Sequence, residues 1–141
     1  MNRRYWLMKS EPSAYSWQKF VAQGEAVWDG VRNYQARNNL RAMRKGDWAL
    51  FYHSNEGQCV VGIAEISKEF YADPTTTDAR WLAVSLIPIE KFPQEVPLAT
   101  IKAKKELATI ALVKQSRLSV SPLDKKSFKI ICKLGQSRSK I

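Results

Sequence analysis

Residues 28 to 38 read Trp28, Asp29, Gly30, Val31, Arg32, Asn33, Tyr34, Gln35, Ala36, Arg37 and Asn38, so rings, amides and guanidinium groups crowd into one short span. Amides and guanidinium groups can hydrogen-bond the edge of a nucleobase, and an aromatic face stacks on a base at about 1 to 3 kcal/mol per contact. The span therefore has the chemistry of a base-reading site. The same residues would also serve as two core aromatics, Trp28 and Tyr34, with polar groups capping a helix, and composition alone leaves both readings open. The enzymatic inventory is thin. His53 is the only histidine, and there is no Gly-rich phosphate loop or nucleophile elbow. His53 ends a strand-like run, where a lone histidine more often serves as a structural hydrogen-bonding group. Cys59 and Cys132 lie far apart without metal or redox spacing, which predicts buried free thiols in a reducing compartment. No metal and no cofactor is expected.

Charge supplies the second signal. The net charge is +10 over 141 residues, but it is unevenly spread. Residues 1–47 carry nine basic and four acidic side chains, residues 48–100 three and seven, and residues 101–141 eleven and two. Both ends are positive and the middle is negative, a pattern that suits a polyanionic partner gripped by the ends of the chain. No run approaches the ~20 apolar residues needed to cross a bilayer, and the N-terminus has no signal-peptide core. A protein without membrane association, placed in the cytoplasm, is expected.

The elements that must position these residues follow from periodicity. Tyr5 to Lys9 alternates as a short strand that Pro12 ends, and Ser16 caps a helix through Trp17, Phe20 and Val21 that stops at Gly24. A second helix is predicted over Tyr34 to Met43, with Ala36, Leu40 and Met43 inward, Gly46 as its stop, and Arg37, Arg41 and Arg44 as a basic ridge. Trp48 to His53, Cys59 to Ile66 and Trp81 to Pro88 read as strands, and Asp73 to Asp78 as a loop between two of them. Trp6, Trp48 and Trp81 fall in strands and read as core, whereas Trp28, just before Gly30, reads as a loop residue and a ligand wall. Ser121, Pro122 and Asp124 stand as cap, first residue and N3 acid of a last helix that Gly135 closes. The reading is one α+β domain over residues 1–135, with 136–141 a frayed basic tail. A sheet that curls into a small barrel fits.

Longer motifs now align. Tyr5-Trp6-Leu7-Met8-Lys9-Ser10-Glu11-Pro12, the Trp28 to Asn38 span, Gly46-Asp47, Phe51-Tyr52-His53-Ser54, Gly62-Ile63-Ala64, Asp73-Pro74, Pro97-Leu98 and Arg117-Leu118-Ser119-Val120 together resemble the EVE domain family over nearly the whole chain. The resemblance implies a PUA-like fold: a curled mixed sheet or pseudo-barrel with flanking helices, related to the YTH domains that read methylated adenosine in RNA.

It also implies a function and a site. EVE domains are regarded as non-catalytic readers of modified bases, C5-modified cytosine in DNA above all. Carried onto this sequence, the base pocket comprises Lys9, Ser10, Trp28, Val31, Arg32, Asn33, Tyr52, His53 and Ser54. A rim that holds phosphates comprises Arg37, Asn38, Arg41, Arg117 and Ser119. The loop from Phe70 to Arg80 is short for the family, so a cage wall from that region is missing or is supplied by Tyr71. The alternatives are an RNA-binding PUA-like module indifferent to modification, and a hydrolase or nuclease, which would need a cluster of metal-binding acids or a nucleophile with its base. The oligomeric state is not readable.

Overall fold

Strict alternation governs the first strand of the computed structural model, which describes residues 2–141. In β1 (Tyr5–Ser10), Tyr5 and Leu7 face one core while Trp6 and Met8 face another, as the period of two requires. The chain continues as α1 (Trp17–Gln23), β2 (Ala26–Trp28), α2 (Tyr34–Ala42), β3 (Trp48–His53), β4 (Cys59–Ala72) and β5 (Leu82–Pro97). It ends with α3 (Leu98–Ala103), a 3-10 turn at Lys105–Leu107, α4 (Ala111–Lys114), β6 (Val120–Leu123) and α5 (Lys125–Leu134). The six strands lie in the order β2-β5-β4-β3-β1-β6, with β1 parallel to β3 and every other pair antiparallel. The result is a mixed α+β sheet. It bends at register shifts within β3–β4 and β4–β5, yet it does not close.

Each face of the sheet buries its own core. One holds Trp17 and Phe20 from α1, Ala36 and Leu40 from α2, and Phe51 and Trp28 from the sheet. The other holds Phe128 and Ile131 from α5, together with Ile101, Leu107, Tyr52 and Phe92. Trp6 and Trp48 are buried in strands as expected, and Trp81, also buried, lies one residue before β5 rather than in it. Ser16 caps α1 by accepting from the Lys19 N–H at 3.1 Å, Gly24 ends that helix at φ 80°, and Gly135 ends α5. Gly62 of β4 meets the adjoining strand so closely that a Cβ would lie 2.5 Å from the Glu90 carbonyl oxygen.

Several expectations are corrected. Val120–Leu123 is an edge strand rather than the start of a helix, because its backbone pairs with β1, and α5 begins only at Lys125. Trp28 closes a strand paired to β5 rather than sitting in a loop. β4 and β5 run six and nine residues past the predicted ends. Charged side chains on their exposed halves hide the alternation there. α2 stops at Ala42, so Arg44 lies beyond the ridge, and its guanidinium donates to the Arg41 and Met43 carbonyls at 3.2 and 3.1 Å. The tail expected to fray is fastened at its middle: Glu90 accepts from the Ser137 and Ser139 hydroxyls and the Arg138 N–H at 2.6, 2.7 and 2.8 Å.

Among the described residues no helix is long and apolar enough to cross a membrane. Cys59 and Cys132 are free and buried. Burial pushes both thiols up to about 12.

Candidate base pocket

The end of β1, the end of β2 and the loop leading into α2 enclose a cavity of about 480 Å³. Lys9, Ser10, Trp28, Val31, Arg32 and Ser119 line it, so six of the residues expected in the pocket or on its rim converge. The parallel pairing of β1 with β3 and the antiparallel pairing of β1 with β6 bring the ends of β1 and β3 and the start of β6 to this corner. The Lys9 N–H donates to the Ser119 carbonyl and the Ser54 N–H to the Ser10 carbonyl, each at 2.9 Å. Lys9 Nζ donates to the Ser116 carbonyl at 2.8 Å, and partial burial lowers its ammonium pKa.

The loop Asp29–Arg32 is held by a carboxylate from another part of the chain. Asp73, buried after β4, accepts from the Gly30 N–H at 2.8 Å and from Arg32 Nη1 at 2.9 Å through Oδ2. Its Oδ1 accepts from the Thr75 N–H and hydroxyl at 2.7 and 2.6 Å. Burial opposes ionisation, but these donors together outweigh it and hold the carboxyl down at about 2. Gly30 turns the loop at φ 74°, a left-handed conformation that favours glycine.

Trp28 contributes little open ring. It is 8% exposed and packs edge-on against Phe51 at 5.6 Å and Tyr15 at 6.3 Å between centroids. The more open aromatic is Tyr15, which lines the same cavity and stands at 84° to the Trp28 ring. Sequence reasoning missed it because it sits in the turn after β1, outside any periodic element. It also gave no role to Asp29, among the described residues the one acid in the lining. Burial first, then the nearby Asp73 charge, raise the Asp29 carboxyl pKa.

The other expected residues lie elsewhere. Asn33 caps α2, its Oδ1 accepting the Ala36 N–H at 2.9 Å, and it faces an adjoining shallow cavity with Arg117. Tyr52 is buried in the opposite core, because its neighbour Phe51 takes the pocket side of β3. Ser54 reaches the corner only through its backbone, and Tyr71, hydrogen-bonded to Ser85 at 2.8 Å, lies outside the lining. Arg37 is engaged by the Arg80 carbonyl at 2.9 Å and by Asn38 Oδ1 at 3.0 Å, while Arg41 is exposed on the same flank of α2.

His53 lines a separate cavity with Trp17, Lys91 and Glu95. Its Nε2 accepts the Trp17 N–H at 3.0 Å, which requires the neutral imidazole with its proton on Nδ1. Burial lowers its pKa, Glu95 raises it and Lys91 lowers it, for a net shift below the ordinary 6.5. The unfolded chain therefore binds the proton more readily, so this contribution to stability is complete above about pH 6.5 and is lost as pH falls through the lower folded value. Denaturant unfolding at a series of pH values should show that loss on the acid side of neutrality. His53→Gln, which keeps an acceptor but does not titrate, should flatten it, and an unchanged profile in that variant would refute the assignment.

Comparison with known proteins finds relatives over nearly the whole chain. The EVE domain model matches residues 4–134. Mouse thymocyte nuclear protein 1 is 36% identical over 167 aligned residues, covering 94% of this chain and 74% of the relative. The crystal structure of the human THYN1 protein in complex with 5-methylcytosine-containing DNA superposes with a TM-score of 0.88 at 32% identity, covering 96% of this chain and 99% of that one. The YTH domain of Zygosaccharomyces rouxii MRB1 shares 19% identity with a TM-score of 0.62 over 98% of this chain and 90% of that one, a likeness of fold alone. The fold is PUA-like.

Proposed function

The chain belongs to the EVE domain family, and from that premise we propose that it is a binding module that captures one modified base of a nucleic acid, 5-methylcytosine in DNA foremost, in the cavity between β1, β2 and the Asp29–Arg32 loop. The observation that carries the reading is the convergence of Lys9, Ser10, Trp28, Val31, Arg32 and Ser119 on one cavity, in a chain similar throughout its length to a protein solved with DNA containing that base. The volume lies within the ordinary range of small-molecule sites.

Roles follow from chemistry. Tyr15 and the edge of Trp28 form an aromatic corner for a flat ring. Asp29 accepts from the exocyclic amine of cytosine, a pairing that carboxylates make with that base. Val31 and Ala14, which also lines the cavity, offer apolar surface to a methyl group, and Lys9 and Arg32 attract the flanking phosphates. A duplex must give up the base at a cost of a few kcal/mol, so single-stranded or mismatched substrates bind more readily.

The test is titration of oligonucleotides that differ at one position, in DNA and in RNA, at fixed salt. Burying one methyl is worth about 0.8 kcal/mol, so methylated cytosine should bind about fourfold tighter than cytosine. Asp29→Ala should lower affinity for cytosine and its methylated form by about 1 to 3 kcal/mol while leaving thymine unaffected. Equal affinity for modified and plain strands in both nucleic acids would overturn the reading, and a preference for RNA regardless of modification would replace it with the general RNA-binding alternative.

A further inference from the structure

We propose that a single nucleic-acid strand whose base enters the cavity lays its sugar-phosphate backbone along a basic furrow over β6, between α2 and α4, as far as the N-terminal arm. The inference rests on the base-pocket reading above and adds the path of the strand beyond it.

Three further concavities lie in line, of about 340, 380 and 840 Å³. Their walls are shared. Gln35 and Lys114 line both the first and the second, and Asn39, Pro122 and Leu123 line both the second and the third. The base cavity adjoins the first through consecutive residues, Arg32 and Asn33 on one wall and Leu118 and Ser119 on the other. The floor is the edge strand β6, and Asn39 ties α2 over it by donating to the Val120 carbonyl at 2.7 Å. Because β1 runs beneath from Ser10 at the base cavity to Tyr5 at the far concavity, the furrow is about 17 Å long at ~3.3 Å per residue. That is the rise of about five stacked nucleotides.

Charge selects this flank of α2. With Ala36 and Leu40 inward, Gln35 and Asn39 line one side of the helix, and Arg37 and Arg41 fall on the other. On the latter side Arg37 is already hydrogen-bonded and lies over the Tyr34 ring. On the furrow side Arg4, Lys114, Arg117 and Lys125 are exposed, and among the described residues none of their side chains makes a hydrogen bond or ion pair. Among the described residues Asp124 is the one acid lining the three concavities. A peptide strand is disfavoured as occupant, since Pro122 removes a donor from the β6 edge and α2 and α4 flank it.

Two double variants test the path: Lys114→Ala with Arg117→Ala near the pocket, and Arg4→Ala with Lys125→Ala at the far end. Lys102→Ala with Lys105→Ala, at and just after α3, is the control. The ligand is a single strand carrying one 5-methylcytosine, extended stepwise to about eight nucleotides. The parent should bind longer strands more tightly until the furrow fills. The far-end double should lose only the later increments, and the near double should lose them from the first. Each should flatten the salt slope by about 1.4, at ~0.7 per phosphate contact, so that raising salt from about 50 to about 200 mM costs roughly sevenfold less affinity than in the parent. Parent slopes and length dependence in both furrow doubles would overturn the path, as would an equal loss in the control or a loss confined to Arg37→Ala with Arg41→Ala. If the parent binds modified and plain strands alike while the furrow doubles still flatten its slope, the base-pocket reading falls and the furrow stands.

Discussion

Asp73→Ala should lower the unfolding free energy by about 2 to 4 kcal/mol and weaken binding of a modified base at least tenfold, although the residue contributes nothing to the cavity surface. Its side chain is wholly inaccessible, and its two oxygens join the Asp29–Arg32 loop to the segment after β4 through Gly30, Arg32 and Thr75. Without the carboxylate the Gly30 N–H loses its acceptor, and Arg32 loses the anchor that aims it along the cavity wall. Asp73→Asn should behave almost as badly, because an amide turns two donors toward groups that are themselves donors. The pH dependence has a definite sign. The carboxyl ionises at about 2 in the folded chain against 3.8 ordinarily, so its contribution, about 2 kcal/mol, is complete above about pH 4 and is lost as pH falls through about 2. Denaturant unfolding and oligonucleotide titration of both variants check this. Stability within about 0.5 kcal/mol of the parent, the range of an ordinary surface change, would show that the carboxylate does not hold the loop.

That staple shows where sequence reasoning ends. Strands β1 and β3 were readable because alternation puts bulky residues on two faces, and α1 and α2 because Ser16 and the Ala36, Leu40 stripe mark a cap and a buried face. The halves of β4 and β5 that leave the core carry exposed charges, and their strand character comes only from pairing with each other. Ser121, Pro122 and Asp124 carried a sound helix-start signal that lost to the hydrogen-bonding demand of the β1 edge. For the site, Lys9-Ser10 and the start of the Trp28 to Asn38 span, far apart in sequence, line one cavity in the fold. The bond from Asp73 to Gly30 joins residues 43 apart in the chain, and no local pattern encodes it. Tyr52, His53 and Ser54 adjoin one another in sequence, but a strand sends successive side chains to opposite faces, so the three cannot share one cavity.

Trp28→Ala should cost about 3 to 5 kcal/mol of stability, the penalty for emptying a large aromatic site in a packed core, and this should mask any effect on base stacking. The sequence alone leads to the opposite expectation, a folded variant that merely loses a stacking partner. Burial decides between them: at 8% exposure, and with its ring edge-on to Phe51 and Tyr15, Trp28 supports the cavity more than it lines it. Trp28→Phe fills most of the volume and should recover the greater part of the loss. Tyr15→Ala removes the more open ring and should lower affinity for base-bearing strands by about 1 to 3 kcal/mol while leaving the salt slope intact, since no phosphate contact is lost. Thermal unfolding and titration across salt separate these outcomes. A Trp28→Ala protein that melts like the parent yet fails to bind would put the tryptophan face in the cavity and make it, rather than Tyr15, the surface on which the base stacks.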